Sequence, residues 1–350
     1  MKTKSTSQIA RAFTRNAILL VITALALSAA PGSRGDAADC LCLSTWTGTT
    51  GSWFTSSNWS FGVPDCGGTC PVSGGPFEAD INNSGTAQIT TSGASACEVF
   101  LGKGATDKGN LSVNHGTLTQ CNEMWVGYEG KGTLSITNGG VVSSFLGASI
   151  ASRLNSNGTV TVDGTNSQWT VTANGLLYVG GSINGAGGTG LLTVTNGGAV
   201  TSNGIVQVYK SGTLKGNGTV TTATGTTVEG TLAPNGGGGT LNIGGALQLN
   251  LGATTQCKIT PQDPSTTPQV SVSAQASLGG RLSVTMTGDF SSAPTRFTLL
   301  YANTFDASHP TFDSQSITYP TGQGCWVPQI TYDYSGGHVH VYLDRVINCN

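Results

Sequence analysis

Charged residues are scarce in this sequence: Asp, Glu, Lys and Arg together account for 9% of its 350 residues. Five of the fifteen basic residues and one of the seventeen acidic residues precede Asp39, so the chain beyond that point carries a negative formal charge. Phosphate binding needs clustered Lys and Arg, and no nucleic-acid partner is therefore expected. The regular apolar alternation described below also argues against a solvated, disordered coil.

Long apolar runs are missing as well. An uncharged apolar stretch covers residues 17–27, which is shorter than the ~20 residues that a membrane-spanning helix needs. Basic residues precede this stretch and small residues follow it, a pattern typical of a secretory signal peptide. We therefore predict a signal peptide over residues 1–38, a mature chain that starts at Asp39, and no transmembrane segment. The expected location is secreted, either extracellular or at the cell surface.

Proline is absent between residues 79 and 233, as a continuous ladder of strands requires, whereas glycine is abundant. Within this region a triplet with a central aromatic residue precedes Gly in four segments: 99–102, 124–127, 144–147 and 177–180. A second strand of alternating apolar and small polar residues follows each of them: 110–113, 133–137, 159–162 and 191–195. Such a unit cannot bury its apolar side alone and must stack on copies of itself. The sequence therefore predicts an all-β protein with a parallel β-helix, or β-solenoid.

The remaining segments suggest how this solenoid begins and ends. We predict a Trp- and Cys-rich N-terminal cap over residues 39–77, solenoid repeats over 78–255 and a small C-terminal β region over 256–350. A cap is expected because the end of a solenoid exposes unpaired backbone groups and apolar surface. Its aromatic residues have two interpretations, the core of the cap or a platform on which sugar rings stack: Trp46, Trp53, Phe54, Trp59 and Phe61.

Nine cysteines in an exported chain indicate disulfide bonds, with one thiol left over. The disulfide candidates are Cys40, Cys42, Cys66, Cys70, Cys97, Cys121, Cys325 and Cys349. Cys97 and Cys121 lie one repeat apart, and coils stacked ~4.8 Å apart would bring them within bridging distance. Cys325 and Cys349 would close the C-terminal end. Zinc binding by the N-terminal cysteines is the alternative that export disfavours, and we expect no metal and no cofactor.

The repeated triplets also predict which side chains point outward. Side chains alternate between the two faces of a strand, so the central aromatic residue points away from the interior. Stacked coils would then align a column of aromatic residues on one outer face: Phe100, Trp125, Phe145 and Tyr178. As structure, stacked neighbours stabilise the sheet by ~0.2 to 1 kcal/mol each. As function, an exposed aromatic row binds polysaccharide or another surface.

Residues for catalysis are not evident. Glu123, Glu129 and Asp163 sit at different places within their repeats, so we expect no stacked carboxylate pair for acid and base catalysis. We therefore predict that the protein is not an enzyme. His338 and His340 would face the same side of a C-terminal strand, but without a third ligand a surface or packed pair is favoured over a metal site.

Several stretches resemble the repeats of bacterial autotransporter passenger regions and of secreted proteins that carry a PEP-CTERM sorting signal. The similar segments are residues 132–140, 177–181, 230–252 and 276–284, and Trp46, Thr47, Gly48, Trp53, Trp59 and Pro64 look like the start of such proteins. The resemblance implies a secreted β-solenoid, and it says little about function because these repeats serve many surface roles. Residues 306–350 resemble neither a membrane barrel nor a PEP-CTERM signal, so we expect release or peripheral attachment.

These observations favour a structural or adhesive protein of the cell surface or extracellular matrix, which presents a rigid outer face for binding. The expected partner is a cell-surface or matrix component, with polysaccharide as one option and self-association as another. The alternative is an extracellular β-helix that binds or cleaves polysaccharide.

Overall fold

The computed structural model describes residues 40, 42–67, 77–173, 175–234, 239–321 and 326–347. The predicted signal peptide, Cys70, Cys325 and Cys349 lie outside the described residues. Within them the chain is all-β, with two short 3-10 helices, Ser56–Asn58 and Ser335–Gly337, and no α-helix. The predicted fold class is confirmed, because most of the strands stack in parallel as successive coils of a solenoid.

The strands are short and follow one another closely along the chain. In chain order they are β1 (Cys42–Thr45), β2 (Thr50–Ser52), β3 (Phe77–Ile81), β4 (Asn83–Ile89), β5 (Ala94–Ala96), β6 (Val99–Leu101), β7 (Lys108–Asn114), β8 (Thr117–Gln120), β9 (Glu123–Val126), β10 (Lys131–Thr137), β11 (Val141–Ser144), β12 (Gly147–Ile150), β13 (Asn157–Asp163), β14 (Gln168–Val171), β15 (Leu176–Val179), β16 (Gly181–Ser182), β17 (Gly185–Ala186), β18 (Thr189–Thr195), β19 (Ala199–Ser202), β20 (Ile205–Val208), β21 (Gly212–Gly216), β22 (Thr219–Thr222), β23 (Gly225–Val228), β24 (Thr231–Pro234), β25 (Leu241–Gly244), β26 (Leu247–Leu249), β27 (Thr254–Ile259), β28 (Val270–Ser277), β29 (Arg281–Met286), β30 (Arg296–Phe305), β31 (Ser314–Thr318), β32 (Trp326–Asp333) and β33 (Val339–Ile347).

The middle coils contribute one strand to each of three parallel ladders, and the coils at the two ends contribute to fewer. The first ladder contains β1, β3, β6, β9, β12, β15, β20, β23 and β26. The second ladder contains β2, β4, β7, β10, β13, β18, β21, β24, β27, β29 and β31. The third ladder contains β5, β8, β11, β14, β19, β22 and β25. The first and third ladders join through β28, which pairs with both β25 and β26.

Alternate residues of every strand fill one shared interior. In β10, Leu134 and Ile136 point inward and are completely buried, whereas Thr133 points outward and is exposed. The second-ladder register aligns a column of fully or almost fully buried side chains: Leu111, Leu134, Val160, Leu192, Leu214 and Leu232. Burial of each such side chain stabilises the fold by about 1.5 to 3 kcal/mol. Stacking in register is therefore what makes these short strands stable.

A column of glycines runs along the second ladder, where the chain turns in from the first. Its members pair directly in successive strands: Gly109, Gly132, Gly158, Gly190 and Gly212. A Cβ atom on Gly132 would lie 2.2 Å from the backbone nitrogen of Gly127, and one on Gly158 would lie 2.3 Å from the carbonyl oxygen of Val126. Only glycine permits so close an approach of two backbones.

The N-terminal end of the interior is closed by tryptophan. Trp46, Trp53 and Trp59 are buried and meet edge to face, with ring centroids 5.1 Å and 4.8 Å apart. Trp59 Nε1 donates a hydrogen bond to the carbonyl oxygen of Trp53 at 2.8 Å. These three side chains form the core of the cap. Because they are buried, they cannot serve as a platform on which sugar rings stack. Phe54 and Phe61 remain exposed.

Two disulfides tie the cap segment to the first coils. Cys40 bonds to Cys97 and Cys66 bonds to Cys121, with Cα atoms 5.8 Å and 5.9 Å apart. Cys42 is also disulfide-bonded. The expected bridge between Cys97 and Cys121 is therefore wrong.

The cap segment explains the correction. Ala96 pairs with Gln120, and the Asn122 backbone nitrogen donates to the Cys97 carbonyl at 2.9 Å, so Cys121 does lie beside Cys97 on the next coil. Each of the two cysteines nevertheless bonds to a cysteine of the cap segment, Cys97 to Cys40 and Cys121 to Cys66. The bonding partners come from outside the repeats, and repeat spacing alone does not reveal them.

The leftover thiol belongs to Cys257, which is free and buried. Burial raises the pKa of this thiol to about 12, so it stays protonated at neutral pH. A protonated, buried thiol is a poor nucleophile, and Cys257 serves as a small core residue of β27.

The parallel stack ends in an antiparallel sheet. Strand β30 pairs in parallel with β28, but β33 pairs with β30 and β32 pairs with β33 in antiparallel orientation. Pro328 lies within β32, opposite Arg345. Because proline has no backbone donor, it is suited to a sheet edge and discourages another chain from extending the sheet.

Candidate functional site

Outward side chains of the first ladder form a continuous column, here called the outer strip. Paired residues in successive strands place its members in the order Asp80, Phe100, Trp125, Ser149, Tyr178 and Gln207. The outer strip thus contains three of the four aromatic residues that were predicted to share one outer face. Their strand neighbours on the opposite face, such as Val99 and Leu101, are fully buried.

Phe145 does not belong to the outer strip, contrary to the prediction. The strand of this repeat is β12, and its residue Ser149 pairs with Trp125 on one side and with Tyr178 on the other. Phe145 precedes β12 at the corner, where its side chain is 46% exposed.

The error has a physical cause in the turn that ends the strand. Three of the repeats end in a glycine with left-handed backbone conformation: Gly102 (φ 70°), Gly127 (φ 75°) and Gly180 (φ 77°). In the remaining repeat Ala151 takes this place with φ 59°. Because alanine stands where the other three repeats have glycine, the sequence prediction takes Gly147, four residues earlier, as the end of the strand.

At its N-terminal end the outer strip is covered by side chains from the adjoining turns. The rings of Phe100 and Trp125 stack with centroids 5.9 Å apart, and Tyr128 meets both edge to face at 5.4 Å and 5.2 Å. The ammonium group of Lys103 lies 4.4 Å from the centroid of the Phe100 ring. Phe100 is therefore only 7% exposed, while Trp125 is half-buried.

A second aromatic pair follows beyond Ser149. Tyr178 stacks on Tyr209 with ring centroids 6.0 Å apart, and Tyr178 is 8% exposed. Burial raises the pKa of Tyr178 to about 12. The Tyr209 hydroxyl donates to the carbonyl oxygen of Ser182 at 2.9 Å, which holds the ring against the strip. The outer strip thus carries two separate aromatic clusters instead of one exposed row.

Acidic side chains accompany the N-terminal aromatic cluster. Glu78, Glu98 and Glu123 each precede a member of the outer strip by two residues, so they point to the same side of the first ladder. Together with Asp80 they form what we call the acidic cluster. The expectation that carboxylates would not stack is therefore wrong.

Lys103 is the basic residue at the acidic cluster. Its ammonium group contacts Glu78 Oε1 and lies 3.4 Å from Asp80 Oδ2. Asp80 is 4% exposed, and its other oxygen, Oδ1, is buried without a hydrogen-bond partner. Asp80 thus has the Lys103 ammonium group and the Glu78 carboxyl group as polar neighbours and is otherwise removed from water.

Two carboxyl groups of the acidic cluster titrate near neutral pH. Burial raises the pKa of Asp80 to about 7, with a further rise from Glu78 and an opposing effect of Lys103. Burial also raises the pKa of Glu98 to about 7, with repulsion from Glu78 and Glu123 contributing. Carboxyl groups in this range can exchange protons at neutral pH, as acid and base residues must.

The sequence did contain a signal for the acidic cluster. The spacing Glu-x-Asp at 78–80 recurs as Glu-x-Phe at 98–100 and as Glu-x-Trp at 123–125. The first of these segments lacks both the aromatic residue and the following glycine, so it was not aligned with the others. Lys103, Tyr128 and Tyr209 lie in turns of variable length, and no periodic pattern marks them.

The C-terminal histidines pack among aromatic residues. Tyr301 lies 5.7 Å from the His338 ring and 4.8 Å from the His340 ring, and His340 stacks on Tyr342 at 5.4 Å. This arrangement agrees with the prediction of a packed surface pair. Across the described residues, no group of three or more His, Cys, Asp or Glu side chains is placed to hold a metal ion.

Comparisons of the sequence with known protein families and with curated proteins found no match. In the part of the chain that the structure describes, no helix is both long and apolar enough to cross a membrane. Function is therefore inferred from the fold, the outer strip and the acidic cluster.

Proposed function

We propose that this protein is a secreted or cell-surface β-solenoid with a structural and adhesive role, whose rigid outer face binds a component of the cell surface or matrix. The observation that carries this proposal is the in-register stack that is covered at both ends. Trp46, Trp53 and Trp59 close one end, and the antiparallel strands β30, β32 and β33 follow the last parallel strands at the other. Covered ends favour a rod that displays its sides, because a fibre that grows end to end needs open ends on which another copy can stack.

The sides of this rod suit contact with a repetitive partner. In the second ladder, outward positions of successive coils align small polar side chains in a row, as in Ser112, Ser135, Thr161 and Thr193. Neighbouring members of such a row are spaced by ~4.8 Å, the distance between hydrogen-bonded strands. The regularly spaced hydroxyl groups of the second ladder offer hydrogen bonds, and the half-buried Trp125 of the first ladder offers a ring surface on the same rigid body.

The alternative function, binding or cleavage of polysaccharide, is favoured by the acidic cluster. Two carboxyl groups with pKa values near 7 beside Trp125 combine proton exchange with a ring on which sugars stack. Asp80 and Phe100 are nearly inaccessible, however, so a substrate would have to displace the side chains that cover them. This cost favours the structural and adhesive role.

A binding experiment tests the proposal and separates it from the alternative. The purified chain would be applied to arrays of cell-surface polysaccharides and matrix components, together with Trp125→Ala, Tyr178→Ala and the matched control Phe145→Ala. We expect Trp125→Ala to weaken binding about tenfold, because ring residues in contact surfaces commonly contribute more than 1 kcal/mol. Phe145→Ala removes an exposed ring outside the outer strip and should leave binding unchanged. Equal binding by all variants would contradict the proposal, and release of shortened glycans would favour the alternative.

A further inference from the structure

Lys103, Glu78 and Asp80 form a compact triad, and the proposed structural and adhesive role uses none of them. Glu78 and Asp80 lie two residues apart on β3 and therefore point to the same side. Lys103 follows Gly102, whose left-handed backbone turns the chain back toward β3. The backbone N–H of Lys103 donates a hydrogen bond to Asn82 Oδ1 at 3.0 Å, which fixes the turn in this position. An amine and two carboxyl groups from adjacent coils are thus brought together by the backbone itself.

The two carboxyl groups of the triad are poorly solvated. Asp80 is 4% exposed and the Glu78 side chain 16% exposed, while the face of the Phe100 ring holds the Lys103 ammonium group beside them. Asp80 Oδ1 has no hydrogen-bond partner, so the carboxylate form is poorly solvated. Removing charges from water costs several kcal/mol per ion unless each is fully paired. A reaction that converts the charged groups into a neutral one is therefore favoured here.

We propose that Lys103 and Glu78 condense to an intramolecular isopeptide bond, with Asp80 as the proton carrier. Asp80 accepts a proton from the Lys103 ammonium group, and the neutral Nζ attacks Cδ of Glu78. The Nζ–Cδ bond forms and one Cδ–O bond breaks. The departing oxygen leaves as water with two of the three ammonium protons, and Asp80 returns to its starting state. No oxidant, reductant or co-reactant takes part.

Contact between the amine and the carboxyl group promotes the condensation. Groups held in contact react with effective concentrations on the order of 10⁵ to 10⁸ M, which offsets the low reactivity of a carboxyl group toward an amine. Glu78 is the acceptor because its oxygen contacts Nζ, whereas Asp80 Oδ2 lies 3.4 Å from Nζ and is placed to take its proton. The bond would join β3 to the turn after β6, close in sequence to the disulfide at Cys97. Unlike that disulfide, it would resist reduction.

Mass spectrometry of the reduced and alkylated full chain tests this proposal. We expect the wild-type protein to be lighter by one water molecule than the mass calculated for its N-terminus as determined by sequencing. Lys103→Arg and Glu78→Ala should have their full calculated masses. Asp80→Asn keeps both bonding partners but should also have its full mass, because the proton carrier is missing. The matched control Lys108→Arg should retain the loss of water.

Peptide mapping places the loss of water at the bond. Cleavage after Phe77 and Phe100 separates Glu78 from Lys103 unless the isopeptide bond joins the two peptides. Recovery of two separate peptides from the wild-type protein would overturn the proposal, and this result does not depend on the folding of any variant. A joined peptide in Asp80→Asn at the wild-type level would overturn the role of Asp80. Binding to surface components plays no part in either result, so the adhesive role is tested separately.

Discussion

The early and late coils of the solenoid have the same interior but different outer surfaces. In β3, β6 and β9 the outer strip consists of Asp80, Phe100 and Trp125. In β20, β23 and β26 the aligned positions hold Gln207, Thr227 and Gln248. The inward neighbours in both regions are fully or almost fully buried, and all of them except Thr226 are apolar. Inward residues and corner glycines therefore specify the coil, while the outward residues are free to carry function.

Loss of a disulfide should affect the early coils most strongly. Cys66 and Cys121 are 55 residues apart in sequence, and a loop of this size corresponds to a stabilisation of about 4 kcal/mol. We expect Cys66→Ser with Cys121→Ser to lower the free energy of unfolding by roughly this amount. Hydrogen exchange should then accelerate in β3 to β9 and stay slow in β20 to β26. Equal acceleration in both regions would show that the coils unfold as one unit.

Substitutions of glycine test which corners of the solenoid lack space for a Cβ atom. A Cβ on Gly158 would lie 2.3 Å from the Val126 carbonyl oxygen, so Gly158→Ala should destabilise the protein by about 3 kcal/mol. Gly252→Ala is the matched control, because its Cβ would lie 3.7 Å from the nearest atom, the Glu229 carbonyl oxygen. Midpoints of chemical denaturation compare the two. Equal midpoints would contradict the close approach of the backbones.

The pH dependence of stability should come from the early coils. The folded-state pKa values of Asp80 and Glu98 are raised to about 7, so the native state holds protons that the unfolded state has already lost. Their contribution is therefore fully present below about pH 4 and is lost as the pH rises through 7. Glu98→Gln should reduce this loss without touching the Lys103 triad. Denaturation curves between pH 4 and 8 provide the measurement, and a slope unchanged by Glu98→Gln would contradict the assignment.

The smallest effect is expected at Ala151. A non-glycine residue in the left-handed region costs about 1 to 2 kcal/mol, part of which is offset by the greater flexibility of glycine in the unfolded chain. Ala151→Gly should therefore stabilise the protein by about 0.5 kcal/mol, measured as a small rise in the thermal midpoint. Gly127→Ala, at the equivalent turn, should lower it, since its Cβ would lie 2.3 Å from the Asn157 carbonyl oxygen. Opposite signs for the two variants would confirm that Ala151 and Gly127 share one left-handed backbone conformation.

The sequence predicted most of the fold because the fold depends on periodic residues. Leu134 and Gly132 recur at matching places in successive repeats, and the period-two alternation around them defines both interior and strand direction. The disulfides were harder to predict, because Cys97 bonds to Cys40, which lies in the cap segment outside the repeats. Repeat spacing places Cys97 beside Cys121, but it does not indicate that cysteines of another segment approach both of them.

The candidate site was only partly predictable for the same reason. Trp125 and Tyr178 belong to the repeat and were found, whereas Phe145 was misplaced because Ala151 replaces the expected glycine. Lys103, Tyr128 and Tyr209 reach the outer strip from turns, whose lengths vary between coils. Side chains contributed by turns depend on three-dimensional position, which repeat spacing alone does not determine.

Covered ends have a consequence for how this molecule changes length. The cap joins the first coils through β1 and β2, and the antiparallel strands join the last coils through β28, so neither junction depends on how many coils lie between them. Duplication of a coil would lengthen the molecule by ~4.8 Å and leave both junctions unaltered. The length of the solenoid can therefore change by whole coils without a change at either end.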